Sequence, residues 1–450
     1  MPPVLLYMLA MLAIICLWFL LLKRPIYEGV ILSFLVLGLL TGTFTQLPAF
    51  MADAMKTSLL YSMVAFVAMS QLLSKTKIID NCVHIIIALL GRIPGGAGYA
   101  SIVASSFMGA LSGSGPGNIM ATGTITIPAM KKTGFPAELA ANVESASSYL
   151  GNMIPPSANI VAALGAYLAV YPDSGLTTGQ FWVVCWGVSL WFILSRIVML
   201  FLFCKYYKIK PMAKEDIPSL KTTLKEGWTG LLLPVIILAP FIFDSACNAT
   251  LLTARLGAAG AKHFSSSLLI FVAGITAFFG LLASKEKLSL KQIIDTFSKG
   301  AKGLAPIVST CIFGYAIGAM FKYIDAGSQL QELFASMNIG KLGLAVLVPL
   351  LTCFISMVIP GSSIVVMFGS VFVTLFAAAG LNPLLTAAML PCICGVMCGI
   401  TPPFALGMYA GMSIAESDFG KTVKNDLWWV AAQYILEVIV LMGWLPILGL

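Results

Sequence analysis

Leu111-Ser112-Gly113-Ser114-Gly115-Pro116-Gly117-Asn118, followed by Gly151-Asn152-Met153-Ile154-Pro155-Pro156-Ser157, is a stretch that no straight membrane helix accommodates. A second copy stands at Pro360-Gly361-Ser362-Ser363 and Gly399-Ile400-Thr401-Pro402-Pro403, with nearly the same separation between glycine/serine tip and proline pair. Glycine frees the backbone to turn, and proline removes an amide donor and clashes with the preceding turn. Each amide or carbonyl left unpaired against hydrocarbon costs several kcal/mol. Such breaks therefore persist at membrane depth only where protein buries them or where they line a solute cavity. Small residues for close helix packing and prolines for kinks would explain one copy. Two tips, each matched to a Pro-Pro break, point to a transport site.

The surroundings of these breaks are apolar. Of 450 residues, 59% are hydrophobic and 10% charged, and mean hydropathy is +0.97, which marks a polytopic membrane protein rather than a soluble domain. Residues 4–22, 27–46, 180–204 and 427–449 each supply the roughly 20 apolar residues that a helix needs to cross about 30 Å of hydrocarbon. Runs this long exclude a β-barrel. No basic stretch precedes the first of them, so residues 1–22 read as a retained helix rather than a leader. The net charge of +8 lies in short loops, where it orients the chain and is no nucleic-acid footprint. The ten cysteines fall largely in apolar segments and read as small buried side chains, not a disulfide framework.

Charge divides the chain in two. The long polar connector, residues 205–230, carries six lysines, and with Lys131, Lys132 and the lysines at 285–302 it marks the cytoplasmic face. The expected first repeat, residues 1–204, holds scaffold helices in 1–92, a re-entrant hairpin at 98–130, a broken helix at 138–171 and a helix at 180–204. The second, 231–450, holds scaffold helices in 231–321, a hairpin at 341–379, a broken helix at 383–411 and a final helix at 427–449. An odd number of crossings lies between the two tips, so the hairpins enter from opposite faces, as in inverted-topology repeats. Residues 79–90, short and bearing Asp80, Asn81 and His84, read as an interfacial helix. Both termini then lie outside.

Half-helix ends at the breaks carry partial charges, with N-termini attracting anions and C-terminal carbonyls attracting cations. Glu144 is an acid at membrane depth and hence a functional suspect. It reads either as a proton-coupling group or as a carboxylate bonded to neighbouring serines. Asp244, Glu437 and Arg196 read as interfacial or snorkelling groups. Cys392, Cys394 and Cys398 do not converge on one point as metal ligands. Ser114 lacks a nearby histidine base, because His84 and His263 both lie at expected interfaces, so a serine hydrolase is not supported. Without a Walker-type loop, the energy source is an ion gradient. The chain reads as no enzyme and needs no cofactor beyond coupling sodium ions or protons.

Leu111-Ser112-Gly113-Ser114, Met153-Ile154-Pro155-Pro156-Ser157, Gly399-Ile400-Thr401-Pro402-Pro403, Ile127-Pro128-Ala129-Met130-Lys131-Lys132-Thr133-Gly134 and the run Leu232–Leu238 occur in an order that resembles the large membrane subunit (DctM-like) of tripartite ATP-independent periplasmic (TRAP) transporters. Glu144 within Asn142-Val143-Glu144-Ser145-Ala146-Ser147 is similar to the branch served by TAXI-type binding proteins. The resemblance implies an all-helical fold in which hairpins and broken helices move against a scaffold as an elevator. It implies sodium sites framed by Ser112, Ser114, Gly151 and Asn152, and by Gly361, Ser362, Gly399 and Thr401. Substrate would sit near Asn118, Ser157 and Ser363, while Pro155, Pro156, Pro402 and Pro403 break the helices. It implies symport of a small organic acid into a bacterial or archaeal cell across the inner membrane, with an extracytoplasmic binding protein and a small four-helix membrane subunit as partners. The rivals are a stand-alone citrate, gluconate or dicarboxylate carrier, and a channel.

Overall fold

The computed structural model describes residues 3–73, 75–112, 115–284, 288–336, 339–357, 359–402 and 405–450. Helices α1 (Pro3–Cys16), α2 (Ile26–Leu40), α3 (Leu47–Lys56), α4 (Ser58–Leu73) and α5 (Ile78–Leu90) open the chain. The first hairpin follows as α6 (Gly96–Ser112) and α7 (Gly115–Lys132). Next come α8 (Ala137–Leu150) and α9 (Ala158–Val170) on either side of a break, and then α10 (Thr178–Tyr206). Helices α11 (Leu220–Gly227), α12 (Leu233–Cys247), α13 (Thr253–Ala283), α14 (Leu290–Tyr323) and α15 (Ala326–Ser336) lead to the second hairpin, α16 (Lys341–Ser356) and α17 (Gly361–Ala378). The chain closes with α18 (Pro383–Pro391) and α19 (Leu406–Ala415) around the second break, and α20 (Phe419–Leu441). Among the described residues there is no strand.

Local chemistry sets the boundaries. A capping box of Thr177 with Gln180 starts α10, and another of Ser289 with Gln292 starts α14. Asn382 Oδ1 accepts from Leu384 N–H and Leu385 N–H at the head of α18, where Pro383 occupies the first turn. Among the boundaries that differ from the sequence expectation, α2 ends at Leu40 where a span to residue 46 was expected. The final helix runs 419–441 rather than 427–449, because Asp418 Oδ1 caps it by accepting from Lys421 N–H at 2.9 Å and Gly443 takes φ 69° just beyond its end. Likewise the basic segment after residue 288 is the first part of α14, made helical by its capping box. The 205–230 connector is docked rather than free. Lys210 N–H donates to Thr133 O and Met212 N–H to Gly91 O, while Lys132 pairs with Asp216 at 2.8 Å.

Among the described residues, five helical segments suffice by length and composition to cross a membrane, Ala137–Val170, Thr178–Tyr206, Leu220–Asp244, His263–Ala283 and Gly361–Ala378, and the bent pair Phe44–Lys56 with Leu60–Leu73 makes a sixth if it is one span. Exposed leucines, phenylalanines and valines such as Leu190, Leu194, Val198 and Phe271 clothe the outside of these helices, as lipid contact requires.

Packing follows a crossed plan. The first hairpin lies on α8 and α19, and α17 of the second lies on α9 and α18. The two hairpins thus sit on opposite halves of a crossed pair of broken helices. Helices α2, α3, α4, α13 and α14 pack together alongside, meeting the first broken helix through α4 on α9 and the second hairpin through α14 on α17.

Candidate functional site

The first break is a 3₁₀ turn, Gly151–Met153, followed by Ile154 in extended backbone. Ser157 restarts the helix: its Oγ accepts from Asn159 N–H at 3.2 Å and donates to the Asn152 carbonyl at 2.5 Å. From α10, Ser189 Oγ donates to the Met153 carbonyl at 2.7 Å. The second break runs through a π turn, Cys392–Val396, and a 3₁₀ turn, Met397–Gly399. Thr401 Oγ1 donates back to the Met397 carbonyl at 2.7 Å. Backbone groups that no helix can pair are thus partly satisfied by hydroxyls.

Each hairpin reaches its break by backbone contact. Gly151 faces Gly109 and Ala110 of α6, and a Cβ at Gly151 or Gly109 would overlap the opposing main chain. Gly361, the first residue of α17, meets the Cys394 carbonyl and Gly395 in the same manner. Between the two copies stands Tyr149, 4% exposed. Its ring fills the space that a Cβ would need at Gly115 on the first tip, at Gly399 in the second break and at Gly407 on α19. One aromatic side chain is therefore the common neighbour of one tip and the opposite break.

Beneath the first tip lies the fully buried Glu144 of α8. Its Oε2 accepts from Ser101 Oγ (2.6 Å) and Thr126 Oγ1 (2.6 Å), and its Oε1 from Ser105 Oγ (2.7 Å) and Thr122 Oγ1 (2.5 Å). Ser148 Oγ, one turn along α8, is 3.4 Å from Oε1. Four hydroxyls thus reach the two carboxyl oxygens, each able to donate to a carboxylate or, through its own oxygen, to accept from the protonated acid. No salt bridge joins Glu144 to a cation among the described residues. Asn118 extends the network by donating from Nδ2 to Ser105 O at 2.9 Å and to Ser148 Oγ at 2.8 Å.

The residues singled out in the sequence fall into three sets. Gly151, Asn152, Gly361, Gly399 and Thr401 lie at the crossing, buried, with Ser362 half-buried beside Gly361. Asn152 Oδ1 is a buried oxygen with no protein partner among the described residues, an atom of the kind that a hard cation takes as ligand. Asn118 and Ser157 spend their hydrogen bonds inside the fold, on the hairpin and the helix cap, while Ser363 is buried near the second tip. Pro155 and Pro156 are buried in the first break and Pro402 is half-buried in the second. Ser114, Pro403 and the side chain of Ser112 lie outside the described residues.

Sequence reasoning passed over Tyr149, and it offered serine hydroxyls to Glu144 without identifying Ser101 and Ser105 or the threonines Thr122 and Thr126. The pairs Ser101/Ser105, Thr122/Thr126 and Glu144/Ser148 are each spaced i, i+4, one face of a helix, and that was the available signal. It also misplaced Asp244, Arg196 and Glu437. All three are fully buried in the protein, so none snorkels to solvent. The linear position of a residue does not reveal which face of its helix meets protein.

Between the crossed pair and α3/α14 opens a cavity of about 460 Å³ lined by Asp53, Gly165, Gly318, Lys322, Val366 and Ser370, among others. At its rim Lys322 Nζ donates to the Ala169 carbonyl at the end of α9 at 2.5 Å. This cation was not foreseen, since it lies far in sequence from either tip.

The family model for the tripartite ATP-independent periplasmic transporter, DctM component, matches residues 5–448. The C4-dicarboxylate TRAP transporter large permease protein DctM of Vibrio cholerae is 25% identical over 403 residues, 85% of this chain and 84% of the relative. The sialic acid TRAP transporter large permease protein SiaM of the same species is 23% identical over 380 residues, 83% of this chain and 82% of the relative. In fold the chain is similar to MtrF of Neisseria gonorrhoeae, of a class of antimetabolite efflux pumps. That likeness has a TM-score of 0.63 at 13% identity and covers 92% of this chain and 86% of MtrF.

Proposed function

The chain belongs to the DctM component family of tripartite ATP-independent periplasmic transporters, and from that membership we propose that it is the large permease subunit that imports a small organic acid by an elevator motion coupled to sodium or protons. The observation that carries the reading is the crossing itself. Two broken helices meet at their breaks, each hairpin tip touches its own break through glycine backbone, and the hairpins occupy opposite halves. That is the arrangement expected of inverted repeats around a midplane site, where half-helix ends hold the solute and its coupling ions. Carboxylates are the proposed cargo because relatives are named for C4-dicarboxylate and sialic acid, and Lys322 supplies positive charge at the cavity between the two helical groups.

Coupling cations are assigned to Gly151 and Asn152 with the first tip, and to Gly361, Ser362, Gly399 and Thr401 with the second. An extracytoplasmic binding protein and a small four-helix membrane subunit complete the transporter in the inner membrane, and both chain termini face outward. A stand-alone carrier would dispense with both partners. The test is uptake of a carboxylate into proteoliposomes holding this chain, with sodium and proton gradients imposed in turn, with and without the two partners. Saturable, gradient-driven uptake that collapses in Asn152→Ala is the expected result. Non-saturating flux without counter-flow of labelled against unlabelled solute would make it a channel.

A second reading is favoured by the Glu144 environment. With hydroxyls but no paired cation around it, Glu144 is the group that would carry a coupling proton. Glu144→Gln would then abolish proton-driven uptake while leaving protein yield intact; full proton-driven uptake in that variant would remove Glu144 from the coupling step.

A further inference from the structure

Away from both breaks, α10, the end of α18 and α20 close around a guanidinium. Arg196, fully buried on α10, donates from Nη2 to Gln433 Oε1 at 2.7 Å, and its Cζ lies 5.6 Å from the centre of the Trp429 ring. Gln433 Nε2 donates to Glu437 Oε1 at 3.0 Å and to Cys392 Sγ at 2.8 Å, and the Cys392 thiol donates to the same carboxyl oxygen at 3.2 Å. Asp426, Trp429, Gln433 and Glu437 recur every three or four residues and so share one face of α20. All are buried, with Asp426 at 2% and the rest at 0%. Arg196 Nε and Nη1, Asp426 Oδ1, Glu437 Oε2 and Trp429 Nε1 have no hydrogen-bond partner among the described protein groups.

The charges do not balance if every group is ionised. A guanidinium keeps its charge in any protein setting, and both Asp426 and Glu437 lie within its electrostatic reach. A net charge held out of water is expensive, so a single buried cation supports one carboxylate, not two. Glu437 is the one equipped to stay ionised, since its Oε1 receives two donors while Asp426 Oδ1 receives none. The remaining neighbours do not alter the count. Thiols of Cys353 on α16 and of Cys392 and Cys394 after α18 face Glu437, and Tyr434 lies beside it on α20. From α8 the polar neighbour is Asn142, whose Nδ2 donates to Thr422 O, and Glu144 of that helix is bound to the hairpin hydroxyls; α19 contributes Tyr409, stacked on Phe419. Asp426 is about two helical turns from the exposed start of α20, which gives its proton the shorter way out.

We propose that this cluster is a proton-binding site, distinct from the tips and breaks, in which Glu437 is the counter-ion of Arg196 and Asp426 holds one exchangeable proton. The site is tested on the purified full chain in lipid nanodiscs by infrared difference spectroscopy across stepped pH, reading the carbonyl stretch of protonated carboxyl groups. Wild type should show such a band at neutral pH, shifting in D₂O. Asp426→Asn should remove it. In Glu437→Gln the band should also vanish, because Asp426 then becomes the counter-ion. Glu144→Gln should leave it in place. No protonated-carboxyl band in wild type at neutral pH, a band unaffected by Asp426→Asn, or one retained in Glu437→Gln would each overturn the assignment. The wild-type reading needs no substitution, and none of the measurements needs substrate or gradient, so their failure is separate from failure of the transport reading.

Discussion

Hairpin α6–α7 is joined to α8 through a carboxylate and four hydroxyls, whereas among the described residues α16–α17 meets α18 with no such exchange of side-chain hydrogen bonds. In the second copy the hydroxyls turn back on their own helices. Thr352 Oγ1 donates to the Val348 and Pro349 carbonyls, Ser356 Oγ to Cys353 O and Thr386 Oγ1 to Asn382 O. Laying Pro155-Pro156 on Pro402-Pro403 along the sequence puts Pro391 opposite Glu144. The backbone plan is shared and the adhesive is not. Lipid supplies no hydrophobic drive for helices to associate, so the first interface is fixed by directional bonds and the second chiefly by close packing. Directional bonds have to break together, while packed apolar faces exchange neighbours gradually. The first hairpin is therefore the stiffer partner of its helix.

Four tests, built on seven substitutions, probe that contrast. The largest effect is expected from Glu144→Ala, which strands four buried hydroxyls and leaves a void. It should cost about 4 kcal/mol, read as thermal unfolding in nanodiscs, while Pro391→Ala at the opposite position should be neutral or stabilising. An equal loss at both positions would erase the distinction. Gly151→Val and Gly361→Val come next and should behave alike, at about 3 kcal/mol each, because both overpack against backbone that no rotamer change can relieve. If only one were damaging, the equivalence of the two crossings would be wrong. A finer discrimination pairs Thr122→Val with Thr352→Val. Loss of about 1–2 kcal/mol is expected in the first, which supports the carboxylate, and under about 0.5 kcal/mol in the second, which bonds only its own helix. Lys322→Met should have the smallest stability effect, under about 1 kcal/mol for one rim hydrogen bond, and should show itself instead as weaker carboxylate uptake at low ionic strength.

The hairpins and breaks were legible because glycine, serine and proline inside apolar runs have few other uses. Glu144 was legible as an anomaly, but its setting was not. Serines and threonines are common in membrane helices, and only their i, i+4 pairing on α6, α7 and α8 distinguishes these from the rest. Tyr149 gave no signal at all, since an aromatic residue in a buried helix is ordinary and its meaning comes from glycines at 115, 399 and 407, brought together by folding. Arg196, Asp244 and Glu437 were misread as exposed groups for a related reason. A charged residue near the end of an apolar run looks interfacial until the neighbouring helix is known.

Tyr149 has a consequence of its own. A phenol ring is a rigid spacer of fixed thickness, and here three main-chain segments from both halves of the molecule rest on it. Pressure at any one of them is met by movement at the other two. Under the proposed function, occupancy at one tip and occupancy at the opposite break would share a free-energy term, and such a term is reciprocal by necessity. Trimming the ring to alanine would decouple the two halves without removing a ligand from either.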